Sequence, residues 1–527
     1  MLVKLFPKLG DNFIVKYLKR GLESKYSAIF IAACILLSNL FSWEIPMLYT
    51  LAAFVALAAL FAEDMLCAMP VACGAYFTFS KVNNPLNYGQ TSIFWQPMGS
   101  VNLQVVIGIV ATFALARLVF DIIVHKERRK FPMLAIGFIV LGASYMLGGL
   151  FTEYYQWKTA FFGLTEIAAL SFSYFYFYYT VDFKKVDKGY FAYLMMVMGF
   201  LLTVEVVGML QQKNFFETVF IKGEEFSRDN LYTGWGIYNN VAGAMIMCIP
   251  APFYFATVKK SYNWVYLLIG NFFYAVILFI QSRGGMLFGT CVYGLCVLVT
   301  LWKAKRRLSL LITQGIIFVI VGIGCILCWD LIAKMFWSVI DRGMNDSGRF
   351  DIYFGGLDQF WEAPVFGNGF YECGAFRWGD NSVGEFLPAR YHNTAVQLIA
   401  SVGAVGFLSY CYHRVETLLM VFRKRNVEKY FIGLCIAGLL LTSLLDCHLF
   451  NFGPGFTYSA LLLFLEINWR SEAEPVQTVA VVEAAESGSA ECVGALETSE
   501  TAGLKEATEV AQTQTEETPQ DSEEKNG

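Results

Sequence analysis

Charge is scarce in this chain. Only 16% of its 527 residues are Asp, Glu, Lys or Arg, against about 25% in an ordinary globular domain. That shortage excludes a conventional soluble domain, and no nucleic-acid partner is expected. Histidine is scarcer still, with four in the whole sequence. No CxxC pair, no cysteine–histidine cluster and no compact carboxylate group on one face suggests a metal, and no cofactor is expected. The 13 cysteines form no framework. Most, such as Cys34, Cys67, Cys291 and Cys328, lie inside apolar runs, where cysteine behaves as a small hydrophobe.

What the chain has instead is apolar length. Hydrophobic residues make up 56% of it, and long apolar runs recur from residue 27 to residue 469. A run of about 18 or more such residues can cross a bilayer as a helix. One could be a buried core helix; more than ten cannot all be. The expected fold is an all-α polytopic membrane protein of about 12–14 transmembrane helices. The runs fall near 27–45, 46–62, 64–80, 101–124, 132–151, 158–181, 189–210, 236–257, 262–281, 284–302, 308–329, 394–417, 430–447 and 453–469. No strict internal repeat is visible. The basic segment 1–26 precedes the first run, which reads as an uncleaved anchor because no small-residue cleavage site follows it.

The net charge of −4 conceals a division. From Ser471 to Gly527 there are 14 acidic and 2 basic residues, a net of −12, while the rest of the chain carries 37 basic and 29 acidic groups, a net of +8. The segment 471–527 is rich in Glu, Thr, Ala and Ser and has no aromatic residue. Such a composition cannot bury enough apolar surface to order itself, so a disordered acidic tail is expected. Between the apolar runs, the basic residues mark sides. With the N-terminus inside, the inward segments hold 23 Lys and Arg, more than twice the number in the longer outward segments. Cytoplasmic loops carry that excess. Both termini are therefore expected in the cytoplasm. The loop of about 64 residues at 330–393, between the eleventh and twelfth helices, is expected outside. Loops of that length are usually functional, and this one is rich in Trp, Phe, Gly and charge, as a folded cap would be.

Three outward features carry candidate chemistry. The first is Gln281-Ser282-Arg283-Gly284-Gly285, where glycines permit a tight turn and close approach of a ligand to backbone. Arg283 there is equally readable as an interfacial arginine that snorkels. The second is Asp346-Ser347-Gly348-Arg349, with Arg342 nearby. A guanidinium offers planar paired donors that suit phosphate oxygens, although a loop salt bridge from Arg349 to Asp346 or Asp351 explains it as well. The third is Tyr391-His392-Asn393-Thr394, where His392 is a candidate general base near neutral pH, or simply a cap or packing residue at a helix start.

Taken in order, these features resemble the O-antigen ligase and polymerase superfamily, membrane glycosyltransferases of bacterial envelopes. The resemblance runs from about residue 232 to residue 421. It passes through Gly236-Ile237-Tyr238-Asn239-Asn240, Ser282-Arg283-Gly284, Gly348-Arg349, Phe366-Gly367-Asn368-Gly369-Phe370, His392-Asn393-Thr394 and Gly403-Ala404-Val405-Gly406. Where the family often shows Asn-Pro-Asn, this chain reads Tyr238-Asn239-Asn240. The resemblance implies a cytoplasmic-membrane enzyme that uses an undecaprenyl-pyrophosphate-linked glycan as donor and a glycan or lipid hydroxyl as acceptor, with membrane lipids around it. It implies arginines, here Arg283 and Arg349, that hold the pyrophosphate, and a histidine, here His392, that activates the acceptor. It implies no required metal. Arg342, Asn240 and Asn393 are the expected substrate-binding residues. A single attack opposite the leaving group would invert the anomeric carbon. A lipid-linked oligosaccharide flippase or other transporter is the rival, since it too needs many spans. It would want polar groups along a midplane path, whereas Arg117, Asp121, Glu166 and Glu205 are scattered. A scaffolding protein would not need the long outer loop.

Overall fold

The computed structural model describes residues 1–41, 43–79, 101–125, 130–152, 155, 157–226, 232–233, 236–342, 348–370, 391–423, 426–450 and 452–471. The chain separates into two units, Met1–Trp469 and Arg470–Gly527. Apart from a two-residue antiparallel pairing of Tyr232–Thr233 with Gly236–Ile237, the regular structure among the described residues is helical.

Helix occupies each of the fourteen apolar stretches. Among the described residues, seven of these helices are long and apolar enough to span a bilayer: Thr159–Thr180, Tyr190–Gln212, Tyr238–Val258, Asn263–Ile280, Arg283–Lys303, Arg307–Leu327 and Thr394–Phe422. An eighth arises if the bent pair Phe13–Leu22 and Tyr26–Ser38 counts as one span. Others are shorter, among them Ala135–Met146 and Val427–Thr442. This is a multi-pass membrane protein. An 18-residue stretch of Tyr238–Val258 is 94% buried, the most enclosed of the seven, while one in Arg307–Leu327, at the edge, is 11% buried. The first breaks at Ile249 because Pro250 has no N–H to continue the ladder. Aromatic rings seat over glycines at several helix crossings. A Cβ at Gly199 would fall 2.3 Å from Phe273, and one at Gly270 would fall 2.5 Å from Phe253. Small residues thus let helix backbones approach.

The bundle has two distinct poles. At the basic pole, Lys19 reaches Glu63 at 3.2 Å and Lys185 pairs with the same carboxylate. There too Glu428 accepts from Gly189 N at 2.9 Å, and Lys303 lies 5.3 Å from the Tyr430 ring. The opposite pole receives the described parts of 330–393. That segment is not irregular throughout: it contains the helices Trp329–Met335, Trp337–Arg342 and Arg349–Glu362. Arg117 is fully buried near the basic pole and closed off by Asp121 at 2.6 Å and by the carbonyls of Ala59, Ala62 and Glu63. The expectation that the chain has no CxxC pair is corrected by Cys325 to Cys328, which ends the Arg307–Leu327 helix with both thiols free and exposed.

Two glycine-bearing motifs, one within the loop and one in the helix that follows it, turn out to be one structure. The helix Thr394–Phe422 is interrupted at Gly403, whose φ of 61 and ψ of −163 no other residue adopts readily. The carbonyls and amides freed by that break are taken by the segment that precedes it in the chain. Asn368 N donates to Ala400 O at 2.9 Å and Gly369 N to Ser401 O at 2.8 Å. Ala404 N donates to Pro364 O at 2.8 Å and Val405 N to Val365 O at 3.1 Å. Irregular backbone is tolerated at membrane depth only when it is satisfied in this way. The crossing is so close that a Cβ on Gly403 would lie 2.5 Å from the backbone of Gly367 and Val365.

Candidate functional site

The three sequence features converge at the pole opposite the basic one, on a short segment that the sequence did not single out. Consider first the turn at Arg283. The helix Asn263–Ile280 ends on Gln281 in a left-handed conformation, φ 56. Ser282 then caps the next helix, its Oγ accepting from Gly285 N at 3.1 Å. Arg283 is therefore the first residue of Arg283–Lys303, with its side chain partly buried. Ser282 Oγ also donates to Asn239 Oδ1 at 2.7 Å. The two glycines serve close approach. A Cβ on Gly284 would meet Leu445 Cδ1 at 2.4 Å, and one on Gly285 would meet Ala242 Cβ at 2.6 Å.

Arg349 is likewise the first residue of a helix, Arg349–Glu362, preceded by Gly348 at φ 72. Its Nη1 donates to Leu445 O at 2.8 Å, so it bonds a main-chain carbonyl rather than Asp351. Asp346 and Ser347 lie outside the described residues. Arg342 closes the helix Trp337–Arg342, and its side chain lies outside the described ones.

His392 sits at φ 51, an uncommon value for a residue with a Cβ. Two contacts hold it there. Tyr353 OH donates to its carbonyl at 3.3 Å, and its ring Nδ1 lies 3.2 Å from Asp446 Oδ1. Asn393 caps the following helix, its Oδ1 accepting from Ala395 N at 2.9 Å and Val396 N at 3.2 Å. Its Nδ2 donates to Leu444 O at 2.9 Å, and Thr394 N donates to Ser443 O at 2.8 Å.

Four successive residues, Ser443 to Asp446, thus tie the features together. Leu445 packs on the Arg283 turn and accepts from Arg349; Leu444 and Ser443 accept from the start of the His392 helix; Asp446 binds His392 itself. Asp446 also accepts from Cys447 N at 2.8 Å. Burial works to raise its pKa. The hydrogen bond to His392 and the nearby His448 outweigh that, and hold the carboxyl below the usual carboxylate range. His448 is buried, and Gly243 makes room for it: a Cβ there would be 3.0 Å from His448 Nε2. Thr394 Oγ1 and Ser443 Oγ are buried at this same junction with no hydrogen-bond partner among the described residues.

The arrangement has a chemical reading. With Nδ1 donating to Asp446, Nε2 is the basic nitrogen of His392, and the side chain is 41% exposed against 12% for Asp446. An accessible imidazole is oriented by a sheltered carboxylate, the base-and-orienter geometry of general base catalysis. Arg283 and Arg349 each open a helix, where the amide groups and the dipole already favour an anion.

Asp446 and the Ser443–Cys447 segment escaped the sequence reading because Asp446 falls at the end of an apolar run assigned to the membrane. A signal was present: an aspartate closing that run, followed two residues later by one of only four histidines. Asn239, rather than its neighbour Asn240, makes the bond to Ser282. Asn240 is half-buried on the first turn of Tyr238–Cys248.

An all-helical membrane protein with a histidine, a carboxylate and helix-initiating arginines at one pole is the class these observations define. Residues 267–411 match the family described as O-antigen ligase. Through this segment the chain is similar to the O-antigen ligase superfamily. The matched stretch contains Arg283, Arg342, Arg349, His392 and Asn393; Asn240 precedes it and Asp446 follows it. No curated protein matches the chain.

Proposed function

We propose that this protein transfers a glycan from undecaprenyl pyrophosphate to an acceptor hydroxyl on the outer face of the bacterial cytoplasmic membrane. The observation that carries the proposal is the His392–Asp446 pair at 3.2 Å, on the same short segment that binds Arg349 and packs against the Arg283 turn. Arg283 and Arg349 hold the pyrophosphate of the donor. His392 Nε2 takes the proton of the acceptor hydroxyl as its oxygen attacks the anomeric carbon. A carbon–oxygen bond forms to the acceptor. The bond from that carbon to the phosphate oxygen breaks, and its electron pair leaves on the lipid pyrophosphate. Charge grows on the leaving group during this step, so fixed cations and helix termini stabilise the transition state more than the ground state. Attack opposite the leaving group inverts the anomeric centre. No step requires a metal.

The test uses purified protein, lipid-linked donor and acceptor, with donor binding measured separately. His392→Ala should bind donor as the wild type does and transfer it roughly 100- to 10,000-fold more slowly, the cost of a lost acid–base group. Transfer at the wild-type rate would remove the histidine from the mechanism. If the wild type gave no transfer but moved donor across a liposome membrane, the protein would be a flippase.

A further inference from the structure

The basic pole also holds a small cavity. Of about 130 Å³, it lies between the end of the helix Pro250–Val258, the start of Asn263–Ile280 and the link from Lys303 to Arg307. It is lined by Lys259, Lys260, Lys305 and Arg306, with Thr257 and Asn263 at its buried side. All four cations are exposed, and none forms a salt bridge among the described residues. Lys259 has only a ring contact, 5.9 Å from Phe255. Thr257 spends its hydroxyl on Phe253 O at 2.8 Å and Thr300 Oγ1 at 3.2 Å. The polar floor is thus internally satisfied, while the positive charge around the rim is unanswered. Four cations around one cavity create a concentrated positive potential that attracts an anion or a charged surface.

The surroundings decide what that anion is. Tyr262, Trp264 and Trp302 are exposed beside the cavity. Tyrosine and tryptophan gather at the level of lipid headgroups. Next to them Leu308, Leu311 and Ile312 are exposed along the helix Arg307–Leu327, the least covered of the spans. A headgroup phosphate seated among the four cations would leave its acyl chains along that face. Basic pockets between membrane helices bind anionic headgroups in this manner. We infer that this cavity is a binding site for the phosphate of an anionic phospholipid of the adjoining leaflet. It is separate from the His392 site, which lies at the opposite pole.

The experiment uses the full chain purified into zwitterionic detergent micelles, with binding of a fluorescent phosphatidylglycerol followed by titration. Each Lys or Arg near a membrane surface is worth about fivefold in affinity. The variant Lys260→Ala/Lys305→Ala/Arg306→Ala should therefore bind phosphatidylglycerol roughly 100-fold more weakly. Arginine in place of both lysines should restore binding, and phosphatidylcholine should bind neither protein measurably. Inorganic phosphate at the same concentration should not displace the lipid, because it lacks the apolar chains. Thermal unfolding in the zwitterionic micelle, unchanged in the triple variant, separates loss of the site from loss of the fold. Phosphatidylglycerol affinity within twofold of wild type in a folded triple variant would overturn the inference. So would equal competition by inorganic phosphate, which would make this a site for a soluble anion.

Discussion

Asp446→Asn is the most informative single change at the proposed active site. The substitution keeps shape and an acceptor for Cys447 N, which Asp446 Oδ1 receives at 2.8 Å. What it removes is the charge facing His392 Nδ1 at 3.2 Å. A hydrogen bond to a charged group is worth about 1.5–3 kcal/mol, which is roughly 10- to 150-fold in rate if it is expressed in the transition state. His392 is 41% exposed, so solvent screens part of that. The loss expected is roughly 10- to 30-fold in kcat, with donor binding unchanged. Asp446 acts through the histidine, so a double-mutant cycle identifies it as a positioning residue. In a His392→Ala background, Asp446→Asn should cost nothing further. An undiminished loss in that background would show that the carboxylate works on the substrate or on folding, and would refute the assignment. Asp446 itself should keep its charge in the folded protein above pH 4. The folded carboxyl titrates below its unfolded value of about 3.9. Its contribution is therefore complete above that value and disappears only as pH falls through the depressed one.

Arg283→Ala and Arg349→Ala should each abolish most transfer while the protein still inserts, and Lys should rescue poorly because it offers a point charge without a planar fork. Near-normal transfer by both the Ala and Lys variants would leave these arginines as interfacial or structural groups. Gly403→Ala combines a φ of 61 with a Cβ 2.5 Å from main-chain atoms that cannot swing aside. It should cost about 2 kcal/mol or more, read as a lower thermal midpoint in detergent. Gly315, whose Cβ would meet nothing within 4 Å, should accept Ala with no loss, and equal effects at the two positions would contradict the packing described. For sidedness, a reporter active only in the cytoplasm should give signal when fused after Arg307 and none after Ala363. Signal at the second position would put the His392 pole on the wrong face for an externally presented donor.

Much of this protein was legible in one dimension. The membrane class follows from apolar run length, because a bilayer of fixed thickness sets the number of residues a span needs. The existence of helices was equally readable, since backbone in hydrocarbon has no water to bond and must satisfy itself locally. The order of motifs around Arg283, Arg349 and His392 pointed to the superfamily that the match at residues 267–411 also indicates. The tertiary structure decided how those motifs are used. Nothing in the spacing of Phe366-Gly367-Asn368-Gly369-Phe370 and Gly403-Ala404-Val405-Gly406 says that one fills the break in the other. That depends on main-chain bonds between segments more than 30 residues apart in sequence. Asp446 was hidden for a related reason. In sequence it is one polar residue closing an apolar run, and its meaning arises only when His392, 54 residues earlier, is brought to it. Hydropathy is a property of neighbours along the chain and fixes which residues enter the membrane. The geometry of the proposed site is a property of neighbours in space, and packing at the pole opposite the basic one sets it.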